Sequence, residues 1–273
     1  MSEATAALAL RLAGPLQSWG GRAALNRRET NAEPTKSGLL GLLAAASGLR
    51  RGEPITELLN LRFAVRTDQP GSLLRDYHTA ADYRGNVLPS ASLNAKGLQK
   101  PTSPTKPTYV TERFYLQDAV FVAIAVGPAP TIEALHAALH APRFPLALGR
   151  RGCPPTGPLV LDRPTARDLE EALTQIPWQA AQHHKRRHRH QTIVRLAAVI
   201  EDPAGQDTAA HVPNSFSLRG RAFSTRQVRH TWITLPTGTT AQSPDDAALG
   251  GTSDALDTAG PAADHDPFDL LGA

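Results

Sequence analysis

A single cysteine, Cys153, among 273 residues excludes an internal disulfide. Long apolar runs are missing too, none approaching the roughly 20 residues that span a bilayer. The Ala4–Leu10 stretch lacks the basic flank of a signal peptide, because Glu3 stands there and Arg11 ends the apolar run. A cytoplasmic protein with no membrane partner is expected. Aromatic residues are only 5% of the chain, and the first strand-like segment has none, which argues against base stacking on strands. No paired-carboxylate, two-metal or Ser-His-Asp arrangement is legible, so no catalytic residue, metal or cofactor is expected.

Two local absences shape the charge. No Lys or Arg occurs after Arg229, whereas seven Asp lie between Asp245 and Asp269. Residues 1–235 thus carry 29 basic against 18 acidic side chains, a surplus of 11, hidden in a formal net charge of +4. Such a body favours polyanions, of which nucleic acid is the commonest in the cytoplasm. The second absence is acidic: from Tyr83 to Thr111 there is no Asp or Glu, while Arg84, Lys96, Lys100 and Lys106 are present.

Apolar periodicity gives the elements. Leu8, Leu10 and Leu12 alternate with Ala7, Ala9 and Arg11, the pattern of a half-buried strand with Arg11 turned outward. A helix from Lys36 carries Leu39, Leu42, Leu43 and Ala46 on one stripe, with Thr35 as N-cap and Gly48 as its stop. A short second helix near Pro54 precedes a strand over 61–67, with Leu61, Phe63 and Val65 inward and Arg62 and Arg66 outward. The strand–helix–strand order makes the two strands parallel. Residues 109–116 and 119–126 read as a hairpin turning at Gln117-Asp118, Thr131 as the cap of a helix bearing Ile132, Leu135 and Leu139, and Leu159-Val160-Leu161 as a closing strand. The expected fold class is α+β, a ferredoxin-like domain over 1–163, from the split βαβ order. Residues 76–108 form an insertion without a clear period, expected to project as an arm. Beyond Pro164, Thr165 and Asp168 resemble a capping box for a helix through Leu169, Leu173 and Ile176. Strands over 192–200 and 227–235 would complete a small β-rich C-terminal unit over 164–235. Residues 236–273, rich in Ala, Gly, Thr, Ser and Asp, are expected to be a disordered acidic tail and a weak electrostatic mask.

Several constellations suggest chemistry. Thr35-Lys36-Ser37 opens a helix, where free backbone N–H groups and the Lys36 charge suit a phosphate, although a merely well-capped helix explains the same residues. The glycines of a P-loop are absent, so nucleotide hydrolysis is not expected. Gly149-Arg150-Arg151-Gly152 offers close backbone approach and two guanidinium forks for RNA, in a groove that Arg22, Arg27 and Arg28 could share, or else is a solvated turn. Cys153 reads as a buried small residue. His183-His184-Lys185-Arg186-Arg187-His188-Arg189-His190 reads as a solvated loop, its cations repelling a metal. Tyr77 and His78 are positioning side chains or, alternatively, the base of a metal-independent endoribonuclease.

The motifs Leu10-Arg11-Leu12-Ala13-Gly14-Pro15-Leu16-Gln17-Ser18-Trp19-Gly20, Pro34-Thr35-Lys36-Ser37-Gly38, Arg75-Asp76-Tyr77-His78-Thr79 and Leu148-Gly149-Arg150-Arg151-Gly152-Cys153-Pro154 occur in this order. Together they resemble the Cas-five family, in its CasD branch, of the type I-E CRISPR surveillance complex, Cascade; Arg221–Arg226 resembles the C-terminal region of that branch. The resemblance implies an RRM-related ferredoxin-like domain with a thumb-like arm, here about 76–112. It further implies a non-catalytic subunit in antiviral defence that grips the 5′ handle of the CRISPR RNA and caps the foot of a backbone filament. The implied partners are the CasC backbone, the CasA large subunit and, indirectly through the complex, target DNA. The residues expected to touch RNA are Gln17, Ser18, Trp19, Arg22, Arg27, Arg28, Thr35, Lys36, Ser37, Tyr77, His78, Lys96, Lys100, Lys106, Arg150 and Arg151.

Overall fold

The computed structural model describes residues 4–24, 27–80, 95–96, 109–216 and 222–238. Five strands and a helix pair open the chain: β1 (Thr5–Ala13), β2 (Leu16–Gln17), β3 (Trp19–Ala24), β4 (Arg27–Asn31), α1 (Lys36–Ser47), α2 (Thr56–Leu59) and β5 (Arg62–Gln69). An antiparallel pair, β6 (Ser72–Ala80) and β7 (Tyr109–Gln117), is followed by β8 (Val120–Pro128), α3 (Ala129–His140), α4 (Leu169–Gln175) and α5 (Gln182–Arg187). The last strands are β9 (Ile193–Glu201), β10 (Asp207–Ser215) and β11 (Ala222–Pro236). They form a six-stranded sheet, β1-β8-β5-β9-β11-β10, and a five-stranded sheet in which β7 pairs with β6 on one edge and with β2 and β4 on the other.

β1 and β5 are both antiparallel to β8, which lies between them, so they run parallel as the crossover requires. Val160 bridges Leu10 on the outer edge of β1, and the N–H groups of Arg11 and Leu161 reach Leu159 and Ala9 oxygens at 2.7 and 3.0 Å. The β1-β8-β5 part of the large sheet is buried on both faces. Leu8, Leu10, Leu12, Phe63 and Phe121 pack under α1 and α3, while Ala7, Ala9, Ala64, Val122 and Ile124 pack under α4 and Trp178. Each leucine so buried contributes about 1.5–3 kcal/mol relative to exposure. β1 is therefore covered on both sides, where its alternation predicts one solvated face. The small size of Ala7 and Ala9 reflects a close second layer, and size alone does not separate that from solvent.

The same second layer corrects Arg66, which is expected outward and is instead fully buried. Its Nε and Nη2 donate to Asp68 Oδ1 and Oδ2 at 2.6 and 2.9 Å, and Nη1 donates to the carbonyls of Leu173 and Ile176 at the end of α4. A paired, fully hydrogen-bonded guanidinium is tolerated in a core, and carbonyls left without partners at a helix end supply part of the bonds.

The hairpin expected over 109–126 is two strands in different sheets. β8, with buried residues from Val120 to Val126, has the continuous apolar composition of a central strand, whereas Thr111-Glu112-Arg113 of β7 cannot enter a core. The corner is Asp118, at φ 57°, held by Gln69 Nε2 donating to Asp118 O at 2.6 Å. Beside it the Pro70-Gly71 turn carries β5 into β6; a Cβ on Gly71 would lie 2.4 Å from Gln117 O. The core pair β5–β8 thus continues outward as the ribbon β6–β7, in register from Ser72–Gln117 to Ala80–Tyr109. The insertion expected to lack periodicity begins as this regular ribbon, and residues 81–94 and 97–108 lie outside the described residues.

Other boundaries move by local chemistry. Thr35 Oγ1 accepts from Gly38 N at 3.2 Å and Gly48, at φ 81°, closes α1, as expected. α3 starts at Ala129, two residues before Thr131, with Pro130 in its first turn. Asp168 itself caps α4, accepting from the Glu170 and Glu171 N–H groups, while Thr165 pairs with Gln175. The His/Arg run, expected as a loop, includes the short helix α5; His184 within it and His188 at its C-cap lean edge-on against Trp178. β10 joins β11, a strand that starts five residues earlier than expected. The tail from 239 lies outside the described residues.

Candidate nucleic-acid interface

Three motifs far apart in sequence meet in one place. Ser18 N donates to Leu148 O at 3.0 Å, Leu148 N to Cys153 O at 2.7 Å, and Thr156 N to Ala13 O at 2.7 Å, so the 148–153 loop is laid along the 13–19 segment. Gly149 sits at φ 90°, with room only for hydrogen: a Cβ would fall 1.8 Å from Ser18 O. Gly38 faces the Trp19 ring in the same way, its added Cβ 2.7 Å from the ring.

Within this junction the expected contact residues divide. Gln17 and Trp19 are fully buried; Gln17 Nε2 donates to the carbonyls of Leu12 and Ala119 at 3.1 and 2.7 Å, and its Oε1 accepts from Trp19 Nε1 at 3.0 Å. These side chains hold the corner between the two sheets. Ser18 is buried as well, its hydroxyl donating to Phe114 O. Lys36 departs most from the sequence reading. Its ammonium turns inward, donating to Leu61 O at 2.8 Å and pairing with Glu201 of β9 at 3.0 Å, so its charge is neutralised inside the protein. Thr35 is buried as the N-cap, with Ser37 Oγ 3.3 Å from its hydroxyl.

Glu201 also faces Arg226, whose Nε lies 2.9 Å from Oε1 but outside hydrogen-bond alignment, so charge alone joins them. Burial pushes the nearby Glu33 carboxyl above the usual carboxylate range, against the opposing pull of His230 and Arg226. A raised folded pKa means that Glu33 favours folding most when protonated, and that this contribution fades as pH climbs through the raised value. Glu33→Gln is therefore expected to raise thermal stability at pH 7 and to leave it unchanged near pH 4; melting curves at the two pH values check this.

The exposed cations gather on the five-stranded sheet. β4 and β7 run parallel with Arg27 beside Glu112 and Arg28 beside Arg113. Arg150 Nη2 donates to Arg28 O at 2.8 Å and Nη1 to Phe114 O at 3.2 Å, and its guanidinium lies 4.8 Å from the Tyr115 ring centroid. Arg28, Arg113 and Arg150 come from three separate segments, and the buried Nε of Arg113 has no hydrogen-bond partner among the described residues. Arg151 is exposed in the next turn. On the opposite face Arg27 stacks 4.9 Å from Phe114, and Glu112 lies 2.6 Å from Arg75 and 3.8 Å from Arg27. Arg22 lies on β3; Lys96 is exposed in a turn; Lys100 and Lys106 lie outside the described residues.

On the ribbon, Tyr77 is 59% exposed beside Arg75, whereas its neighbour His78 points to the other face. His78 Nδ1 is 3.1 Å from Asp76 Oδ2 and Nε2 is 3.1 Å from Thr111 Oγ1, so both ring nitrogens are engaged. Burial pushes the Cys153 thiol up, consistent with an inert core residue. Among the described residues no cluster of three or more metal-ligating side chains occurs.

Sequence reading missed Arg75, Arg113, Phe114 and Tyr115, because a hairpin assignment places 109–116 in the core. The signal was there: the alternation Thr111-Glu112-Arg113-Phe114-Tyr115 puts charge on both faces, which a core hairpin does not tolerate.

Comparison with known proteins agrees with this arrangement. A family model described as CRISPR-associated protein (Cas_Cas5) matches residues 7–229. The CRISPR system Cascade subunit CasD of Escherichia coli (strain K12) is 39% identical over 180 residues, 61% of this chain and 75% of the relative. A solved chain described as a CRISPR RNA-guided surveillance complex is 35% identical with a TM-score of 0.66, covering 84% of this chain and 91% of its own. Another, described as a crystal structure of a Cas protein, is 32% identical with a TM-score of 0.59 over 87% and 99% of the two chains. With the family match running through both sheets and all four sequence motifs, the chain belongs to the Cas5 family of CRISPR-associated proteins.

Proposed function

We propose that this protein is a non-catalytic, CasD-like subunit of a type I-E Cascade complex, which holds the 5′ handle of the CRISPR RNA and caps the backbone filament. The observation that carries the reading is the convergence of Arg28, Arg113 and Arg150 beside Tyr115, at the root of a projecting ribbon. Guanidinium forks from separate segments match successive phosphates, and an adjoining aromatic edge suits a splayed base. The order of the 159–161 bridge, β1, β8 and β5 supports a ferredoxin-like, RRM-related core for residues 1–163. The ribbon β6–β7 is the base of the thumb, and its exposed Leu73 and Tyr77 offer apolar surface to a neighbouring subunit such as CasC.

In this reading Gln17, Trp19 and Thr35 build the cradle, Arg28, Arg113, Arg150 and Arg151 line it, and Arg27 and Arg75 add positive charge on the reverse face of the same sheet. Neutralising about five phosphates of single-stranded RNA gives a log–log salt slope near −3 to −4. Binding of repeat-derived RNA measured between low and moderate salt tests this, and a slope near zero contradicts it. Endoribonuclease chemistry by Tyr77 and His78 is disfavoured by their opposite orientation and by the two occupied imidazole nitrogens. Intact repeat RNA after incubation in EDTA is the expected outcome.

A further inference from the structure

The large sheet is split at one place that the RNA interface does not use. β5 pairs with β9 only at Ala64–Arg66 against Ala198–Ile200, although β5 runs on to Gln69 and β9 begins at Ile193. Where they diverge, a cleft of about 400 Å³ opens, within the range of small ligand pockets. Trp178, His184, His188, Leu196 and Trp232 are among the side chains that line it. Trp232 is 58% exposed and Ile193, at the start of β9, 55%, a large apolar area for a strand end.

Cations surround this aromatic cleft. Arg195 lies 5.4 Å from the Trp232 ring centroid and Lys185 5.7 Å from that of Trp178. Asp68, the acidic residue of the lining, is already held by Arg66. An acidic segment with an aromatic anchor is the complementary guest, and this chain contains one. In the sequence after Gly238, Phe268 is the only aromatic residue; it lies in Asp264-His265-Asp266-Pro267-Phe268-Asp269-Leu270-Leu271, which joins three Asp to three large apolar side chains.

The chain also leaves the described structure at the cleft itself. Thr237 N donates to Thr192 O at 3.0 Å and Thr237 Oγ1 to Gln191 O at 2.7 Å, and Gln191 is part of the lining. Phe268 lies 30 residues beyond Gly238. A tether of that many residues spans about 30 Å root-mean-square when flexible, which corresponds to an effective concentration on the order of 1 mM for its far end.

We propose that the cleft between β5 and β9 is the docking site of the chain's own segment 264–271, with Phe268 seated between Trp178 and Trp232 and the aspartates facing Arg195 and Lys185. Docking covers the exposed Trp232 and neutralises part of the α5 basic run. It is independent of the RNA interface, which lies on the other sheet.

The full-length chain with a photoreactive benzoylphenylalanine at position 268 provides the test. Intramolecular crosslinks to the 178–197 segment or to Trp232 are expected, well above those from the same probe at Leu249. Arg195→Glu is expected to lower the yield about threefold. In parallel, changing Phe268, Leu270 and Leu271 to serine is expected to increase iodide quenching of Trp232 fluorescence, because Trp19 and Trp178 are buried. Dispersed crosslinks, crosslinks to the Arg28–Arg113–Arg150 face, links between two copies of the chain, or labelling of nucleic acid held in the cleft would each overturn the proposal, as would unchanged quenching.

Discussion

Asparagine at position 68 is expected to lower the unfolding free energy by about 3–5 kcal/mol, read from urea titration. Asp68 is the counter-charge of the fully buried Arg66, and its Oδ2 also accepts from Gln179 N at 2.5 Å. Its own carbonyl accepts from Trp178 Nε1 at 2.9 Å, so one residue ties the segment after α4 to the end of β5. Asparagine keeps the shape and leaves the guanidinium unneutralised in a core, where an uncompensated charge is costly. The double variant Arg66→Met with Asp68→Leu is expected to recover part of the loss, since apolar groups of similar volume substitute well for a buried pair. A single-variant loss below about 1 kcal/mol would show that Arg66 finds solvent.

Alanine at position 149 is the second large effect, and it acts on both stability and binding. The positive φ of Gly149 strains any L side chain, and its Cβ would overlap Ser18 O, so the 148–153 loop must lift away. Lifting it breaks the Ser18 N–Leu148 O bond and withdraws Arg150 from Phe114 and Arg28. A stability loss of about 3 kcal/mol and at least about a tenfold weaker RNA affinity are expected. Gly152 supplies the control: no atom lies within 4 Å of an added Cβ there, so Gly152→Ala should stay within about 0.5 kcal/mol of the parent. Equal effects at the two glycines would contradict the role given to the Gly149 approach.

These two positions also mark what the sequence discloses and what it withholds. Gly149 and Arg150 stand out in the chain because a glycine beside paired arginines has a local meaning. The N-cap at Thr35 and the αL stop at Gly48 are legible for the same reason, as are β1, α1 and the parallel relation of β1 and β5. Arg66 and Lys36 are misread because each alternates or caps as a surface residue does, while its partner lies far along the chain, at α4 or at Glu201. The split of 109–126 into two sheets depends on the corner at Asp118, a position at which φ turns positive without a glycine. Of the proposed RNA-facing residues, Arg28 on β4 and Arg150 and Arg151 in the 148–153 loop are visible from composition. Arg113 and Tyr115 emerge only when β7 is placed outside the core.

In the proposed assembly one terminus of a guide RNA lies against the Arg28–Arg113–Arg150 face. Crosslinking tests it most directly, with 4-thiouridine placed in the 5′ handle of the RNA inside the assembled complex and the adducts mapped by mass spectrometry. Adducts on β4, on β7 and in the 148–153 loop are the predicted result. A handle that labels only other subunits and leaves these segments unmodified would contradict it.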